Sequence, residues 1–132
     1  MKINVDATVP HDINRGVGVV IRNDMRIITA SRTQAIPYPL EAHEAEAYAT
    51  FWGLNFAKDY CFLKVILESN NIEVMDALKQ RRYFNSCFRT FIIDAISLIR
   101  NFRIVEFSHV KRKKNRVVHE LATLALTNPS CM

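Results

Sequence analysis

The sequence predicts an α/β fold: a mixed five-stranded sheet, an antiparallel meander followed by parallel strands, flanked by helices. Three observations predict it. Three β-rich runs crowd the opening, between residues 3 and 33, with only short polar interruptions. After Pro37 and Pro39 the apolar period lengthens from two residues to helical spacing. From Val65 onward, strand-like and helix-like segments alternate, which gives the order β-β-β-α-β-α-α-β-α.

Each element has its own warrant. Ile3, Val5, Ala7 and Val9 alternate with Asn4, Asp6 and Thr8, the period of a half-buried strand. Residues 16–22 and 27–33 supply the next two strands, divided by the turn-like pair Asn23 and Asp24. Pro37 and Pro39 interrupt the chain in a loop. Residues 44–58 are rich in helix formers and set Ala45, Tyr48, Ala49, Trp52 and Phe56 on one stripe, where Gly53 marks close packing against the sheet. Residues 65–67 form a short apolar strand, and Ser69, Asn70 and Asn71 offer N-caps for a helix reaching Leu78. Phe88, Phe91, Ile92, Ala95, Ile99 and Phe102 then recur at helical spacing. A strand over 104–110 leads to a final helix with Val118, Leu121, Ala122 and Ala125 on one face.

Bulk properties narrow the function classes. A chain of 132 residues with 49% hydrophobic content reads as one globular domain, 1–132, without repeat or linker. Eighteen Lys and Arg against thirteen Asp and Glu leave a net charge of +5, which points toward an anionic partner. Cys61, Cys87 and Cys131 are odd in number and widely spaced. That argues against a disulfide framework or a zinc site and for a reducing, intracellular setting, nucleus or cytoplasm. Cys61 lacks a His and an orienting partner and is expected to be buried. No apolar run is long enough to span a bilayer, so no membrane partner is expected.

Chemistry-bearing residues fall where an α/β sheet gathers its sites, at the carboxyl ends of parallel strands and the helix starts beside them. Asp6 sits late on the first strand, and Asn70 follows the strand at 65–67. Glu46 and His119 are expected in the first turns of two helices. Four elements can therefore deliver polar groups to one cleft. Lys111, Arg112, Lys113, Lys114, Asn115 and Arg116 place five cations in six residues, suited to phosphate contacts or to nuclear import. Phe51, Trp52 and Tyr60 could stack on bases, but helical spacing assigns Trp52 to the core.

Several runs together resemble one family. They are Lys2 to Ala7, the stretch Gly16 to Arg22, Ala45 to Ala49 with Trp52, Gly53 and Leu54, Val65 to Asn70, and His109 to Ala122. The chain is similar to the ribonuclease H-like domain, and most of all to the plant, retrotransposon-type branch known as reverse-transcriptase-like. The resemblance implies a ribonuclease H-like fold and phosphodiester hydrolysis of RNA–DNA hybrids by two Mg²⁺ (or Mn²⁺) ions held by carboxylates. On that resemblance the catalytic set is Asp6, Glu46, Asn70, His119 and His109, with Asp6, Glu46 and Asn70 holding metal. His109, on a loop, would assist the departing group.

Two positions depart from the four-carboxylate pattern: Asn70 carries no charge, and His119 brings nitrogen, which suits Mn²⁺ or Zn²⁺ better than Mg²⁺. At an effective dielectric of about 20, each carboxylate about 4 Å from a unit charge contributes roughly 4 kcal/mol. Two missing charges therefore weaken a second metal strongly. Asp94 and Glu68 could compensate only in principle, since Asp94 sits among Phe91, Ile92 and Ile93 on a different helix and strand alternation does not place Glu68. The expectation is a nucleic-acid-binding domain, taking RNA–DNA hybrid or RNA, with a degenerate site and hybrid hydrolysis reduced or absent. The alternatives are an active Mg²⁺- or Mn²⁺-dependent ribonuclease H, or a non-catalytic module without cofactor that binds a protein partner or forms a homodimer.

Overall fold

Alternating apolar residues build the first strand, β1 (Lys2–Thr8), which pairs antiparallel with β2 (Gly16–Arg22), Asn4 opposite Val20 and Asp6 opposite Gly18. The computed structural model describes residues 1–8, 16–36, 40–81 and 88–120. Val9, Pro37, Pro39, Cys87, Cys131 and the final-helix positions Leu121, Ala122 and Ala125 lie outside them. Strand β3 (Ile28–Ala35) completes an antiparallel meander with β2. It starts one residue later than the sequence suggests, because the Asn23 side chain accepts from the Met25 and Ile27 amides at 2.9 and 3.0 Å. That Asx-type turn holds Ile27 out of the ladder.

Helix α1 (Ala42–Lys58) follows, then β4 (Lys64–Ser69), α2 (Ile72–Gln80), α3 (Arg89–Leu98) and β5 (Ile104–His109). A 3-10 turn over Arg112–Asn115 runs into a helical segment at 116–120. The sheet order is β3-β2-β1-β4-β5, with β1, β4 and β5 mutually parallel. The mixed sheet and its flanking helices are as the sequence predicts. Among the described residues, no helix is long and apolar enough to cross a membrane.

Strand alternation separates two unlike faces. Ile3, Val5, Val17, Val19, Ile21, Val65 and Leu67 are fully buried and form the core with Ala45, Ala49, Leu54, Val74, Met75 and Ile92. Gly53 lets α1 settle onto this face, since a Cβ there would collide with Val5 Cγ1 and touch Val19 and Ile3. Trp52 is core as expected, its indole N–H donating to Gln34 at 2.8 Å. The opposite face carries Asn4, Asp6 and Glu68, all buried. The β1–β4 ladder ends at Asn4 and Glu68, whereas β4–β5 continues to Ser69 and His109. Beyond that point β1 and β4 part company.

Two expectations are corrected. Helix α1 begins at Ala42 rather than Glu44, because Glu41 caps it and its amide donates to Glu44 Oε1 at 3.2 Å. Cys61 is exposed, not buried, on a left-handed turn (φ 57°) that ends α1.

Candidate active site

Asp6 lies near the carboxyl end of β1 with only 4% of its surface exposed. Its neighbours come from elements distant in sequence. His119 Nδ1 sits 2.6 Å from Asp6 Oδ2, so with Asp6 ionised the ring nitrogen must carry the bonding proton. Glu46 reaches the same place from α1, with Oε1 accepting from the Ala7 amide at 3.4 Å. The longer helix puts Glu46 in the second turn, not the first. Its position is therefore set by packing against β1 rather than by the helix end.

Glu46 is the group most perturbed here. Burial pushes its carboxyl well above the usual range, and the adjacent Asp6 carboxylate pushes it further. The Ala7 amide and the Arg112 guanidinium act in the opposite direction. Oε2 of Glu46 is enclosed and has no hydrogen-bond partner among the described residues. Two adjacent carboxylates can share a hydrogen bond only when one of them holds a proton.

Asn70 follows β4 and joins the cluster indirectly, its Oδ1 accepting from Asn115 Nδ2 at 3.4 Å. His109 stands at the end of β5 rather than on a loop, exposed, with Nε2 3.2 Å from the Asn70 carbonyl oxygen. The structure thus brings Asp6, Glu46 and His119 together directly, whereas Asn70 is bonded to Asn115, and His109 to Asn70, at the mouth where β1 and β4 separate.

The basic run divides into two kinds of residue. Lys111, Arg112, Lys113, Lys114 and Arg116 are exposed, with Arg116 pairing with Glu120 at 3.4 Å. Asn115, grouped with them on sequence, is only 1% exposed, so it is not offered to a ligand. Its Nδ2 donates to Val5 O at 2.7 Å and its Oδ1 accepts from Asn4 Nδ2 at 3.1 Å. Glu68 does not reach the cleft either, since Asn4 Nδ2 and Arg22 Nη2 hold its Oε1 at 3.0 and 3.3 Å. Asn4 and Arg22 escape the sequence reading, although Asn4 shares a strand face with Asp6, a spacing that could have flagged it.

Among the described residues no group of three or more His, Cys, Asp or Glu side chains is arranged to hold a metal ion. Asp6 and Glu46, adjacent and with one buried carboxylate oxygen unsatisfied, have the donor chemistry for one hard divalent cation. Asn70 brings no charge and its oxygen accepts from Asn115, while Asp6 Oδ2 is bonded to the His119 imidazole.

The sequence matches a family model described as reverse transcriptase-like over residues 4–125. No curated protein matches it. Solved structures with a similar fold include RNase H1 from the halophilic archaeon Halobacterium salinarum, with TM-score 0.89 and 23% identity over 96% of this chain and 97% of that one. The N-terminal RNase H domain of Rv2228c from Mycobacterium tuberculosis gives 0.82 and 19%, over 98% and 96%. LC11-RNase H1, isolated from compost and solved with an RNA/DNA hybrid, gives 0.84 and 18%, over 96% of each chain. At these identities the likeness is one of fold.

Proposed function

We propose, from the premise that this chain belongs to the reverse transcriptase-like family and carries the ribonuclease H fold, that it is a nucleic-acid-binding domain with a reduced two-metal site. Cleavage of RNA–DNA hybrids is then weak or absent. The observation that carries this reading is the His119 imidazole bonded to Asp6 at 2.6 Å. Where the chemistry calls for four anionic ligands, two carboxylates remain, and one Asp6 oxygen is already taken.

Asp6 and Glu46 are the residues that would hold a single Mg²⁺ or Mn²⁺, which when bound supplies positive charge to a phosphodiester oxygen. The protein contributes the rest itself. Lys111, Arg112, Lys113, Lys114 and Arg116 meet phosphates, and Asn115 seats the turn that presents them. His109, exposed at the end of β5, stands where a proton could be passed to a departing oxygen. Its partner on this reading is an RNA–DNA hybrid, by analogy with the one in the LC11-RNase H1 complex.

A second reading, a working Mn²⁺-dependent ribonuclease H, is favoured by the same imidazole, since ring nitrogen is a better ligand for Mn²⁺ than for Mg²⁺. One experiment separates the two: incubation of the protein with an end-labelled RNA–DNA hybrid and Mg²⁺ or Mn²⁺. The expected result is salt-dependent binding without appreciable cleavage. Strong metal-dependent cleavage that disappears in Asp6→Asn establishes the second reading instead.

A further inference from the structure

The polar face of the sheet holds a chain of side-chain amides whose direction is fixed at both ends. It begins at Arg22, whose guanidinium has donors and no acceptor. Arg22 Nη2 donates to Asn4 Oδ1 at 2.7 Å. Asn4 must therefore turn its Nδ2 away from Arg22, and both protons are used, on Glu68 Oε1 at 3.0 Å and Asn115 Oδ1 at 3.1 Å. Asn115 in turn spends its two Nδ2 protons on Val5 O at 2.7 Å and Asn70 Oδ1 at 3.4 Å. Val5 O follows the last β1–β4 pair, where the strands have parted, and can only accept. No amide in the series can be reversed alone without setting donor against donor or acceptor against acceptor.

The consequence falls on Asn70. Its oxygen already accepts from Asn115 and brings no charge to hold a cation with its second lone pair, while Nδ2, a donor, has no partner among the described residues. A cation ligand must present oxygen, whereas a phosphate oxygen asks for a donor. We propose that Asn70 is a hydrogen-bond donor to a phosphate oxygen of the bound nucleic acid, not a metal ligand, and that Arg22, on β2 and outside the cleft, is the positioning residue that fixes this polarity. The proposal rests on the nucleic-acid reading above and names what one of its residues recognises.

The test uses ¹⁵N-labelled protein, following the side-chain NH₂ signals of Asn70 and Asn115 together with the Ala7 amide, which is bonded to Glu46. Mg²⁺ alone should move Ala7 and leave Asn70 unmoved. Metal-free RNA–DNA hybrid should move Asn70. In Asn70→Asp, metal-free hybrid affinity should fall about tenfold, the loss expected when a hydrogen bond to a charged acceptor is replaced by like-charge repulsion. Arg22→Gln, whose amide can donate or accept, should shift or double the Asn115 and Asn70 signals while far-UV circular dichroism stays unchanged. A shift of the Asn70 signals by Mg²⁺, or undiminished metal-free affinity in Asn70→Asp, overturns the proposal. If the unmodified protein fails to bind hybrid, the nucleic-acid reading is lost, and inorganic phosphate decides the rest. An Asn70 shift with phosphate keeps the donor role for another phosphate-bearing ligand, and no shift removes it.

Discussion

At Glu46 a buried carboxylate faces the carboxylate of Asp6, and both burial and that neighbour raise its pKa. A folded-state pKa above the unfolded one means that the folded chain binds the proton more tightly. This contribution to stability is fully present below the unfolded value and is lost as pH rises to the raised folded value. Glu46→Gln removes the ionisable group, so it should melt higher than the unmodified protein at neutral pH, by about 1 kcal/mol of stability, and lose that pH dependence. Thermal melts between about pH 4 and about pH 8 check it. The same residue scale governs metal binding. The double change Asn70→Asp with His119→Asp returns two oxygen anions, one of them in place of the imidazole bonded to Asp6. It should raise Mg²⁺ affinity at least about tenfold and bring hybrid cleavage with it. Asp6→Asn on that background should abolish both, as read by calorimetry and by a labelled-hybrid assay.

Helix α1 is where an element holds the site in place. Gly53 seats it against Val5, so Glu46 arrives beside Ala7 at hydrogen-bonding distance. Gly53→Ala drives a methyl into Val5 Cγ1, so either that side chain or the helix must shift. A loss of about 1–3 kcal/mol is expected from such overpacking, measured by urea unfolding, with weaker Mg²⁺ binding if it is the helix, and Glu46 with it, that shifts. The elements were largely legible beforehand. Period-two and helical runs are local signals, and β1, β2, β4, α2, α3 and β5 all lie within a few residues of where the sequence puts them, α3 giving way at Ile99 to a 3-10 turn. The misreadings have physical causes. Glu41, not the usual Ser, Thr, Asp or Asn, caps α1, so the sequence marks its start late. Asn115 looked like part of a basic ligand-binding run because its partners Val5, Asn4 and Asn70 lie 110, 111 and 45 residues away. No local pattern announces contacts of that range.

Across the whole molecule the net charge of +5 is unevenly spent, with five cations in or beside one exposed turn close to a buried acidic pair. Attraction and repulsion for a phosphate chain thus lie close together, and the turn must dominate for nucleic acid to bind. Replacing Lys111, Arg112, Lys113 and Lys114 by Gln should weaken binding to all hybrid sequences alike. It should also flatten the dependence of log affinity on log salt by about 1 for each phosphate that is no longer neutralised. A fluorescence titration at several salt concentrations reads both. The meeting of Asp6 with His119 was legible because a strand end and a helix start converge on one sheet edge, whereas Glu46 joins them from the second turn of α1. The bond between His119 and Asp6 was not, since a sequence gives the neighbourhood of a side chain and not its partner.

Strand order has a kinetic consequence. The central strand β1 meets β2 within a hairpin, but Asn4 meets Glu68 only across 64 residues. Closing the longer loop costs roughly 1–2 kcal/mol more in chain entropy, so the meander is the natural nucleus and β4 joins afterwards. Val19→Ala should then slow folding, while Leu67→Ala should mainly speed unfolding, a contrast that stopped-flow chevrons resolve. On this order the mouth between β1 and β4, with Asn70 at its rim, is among the last parts of the molecule to take shape.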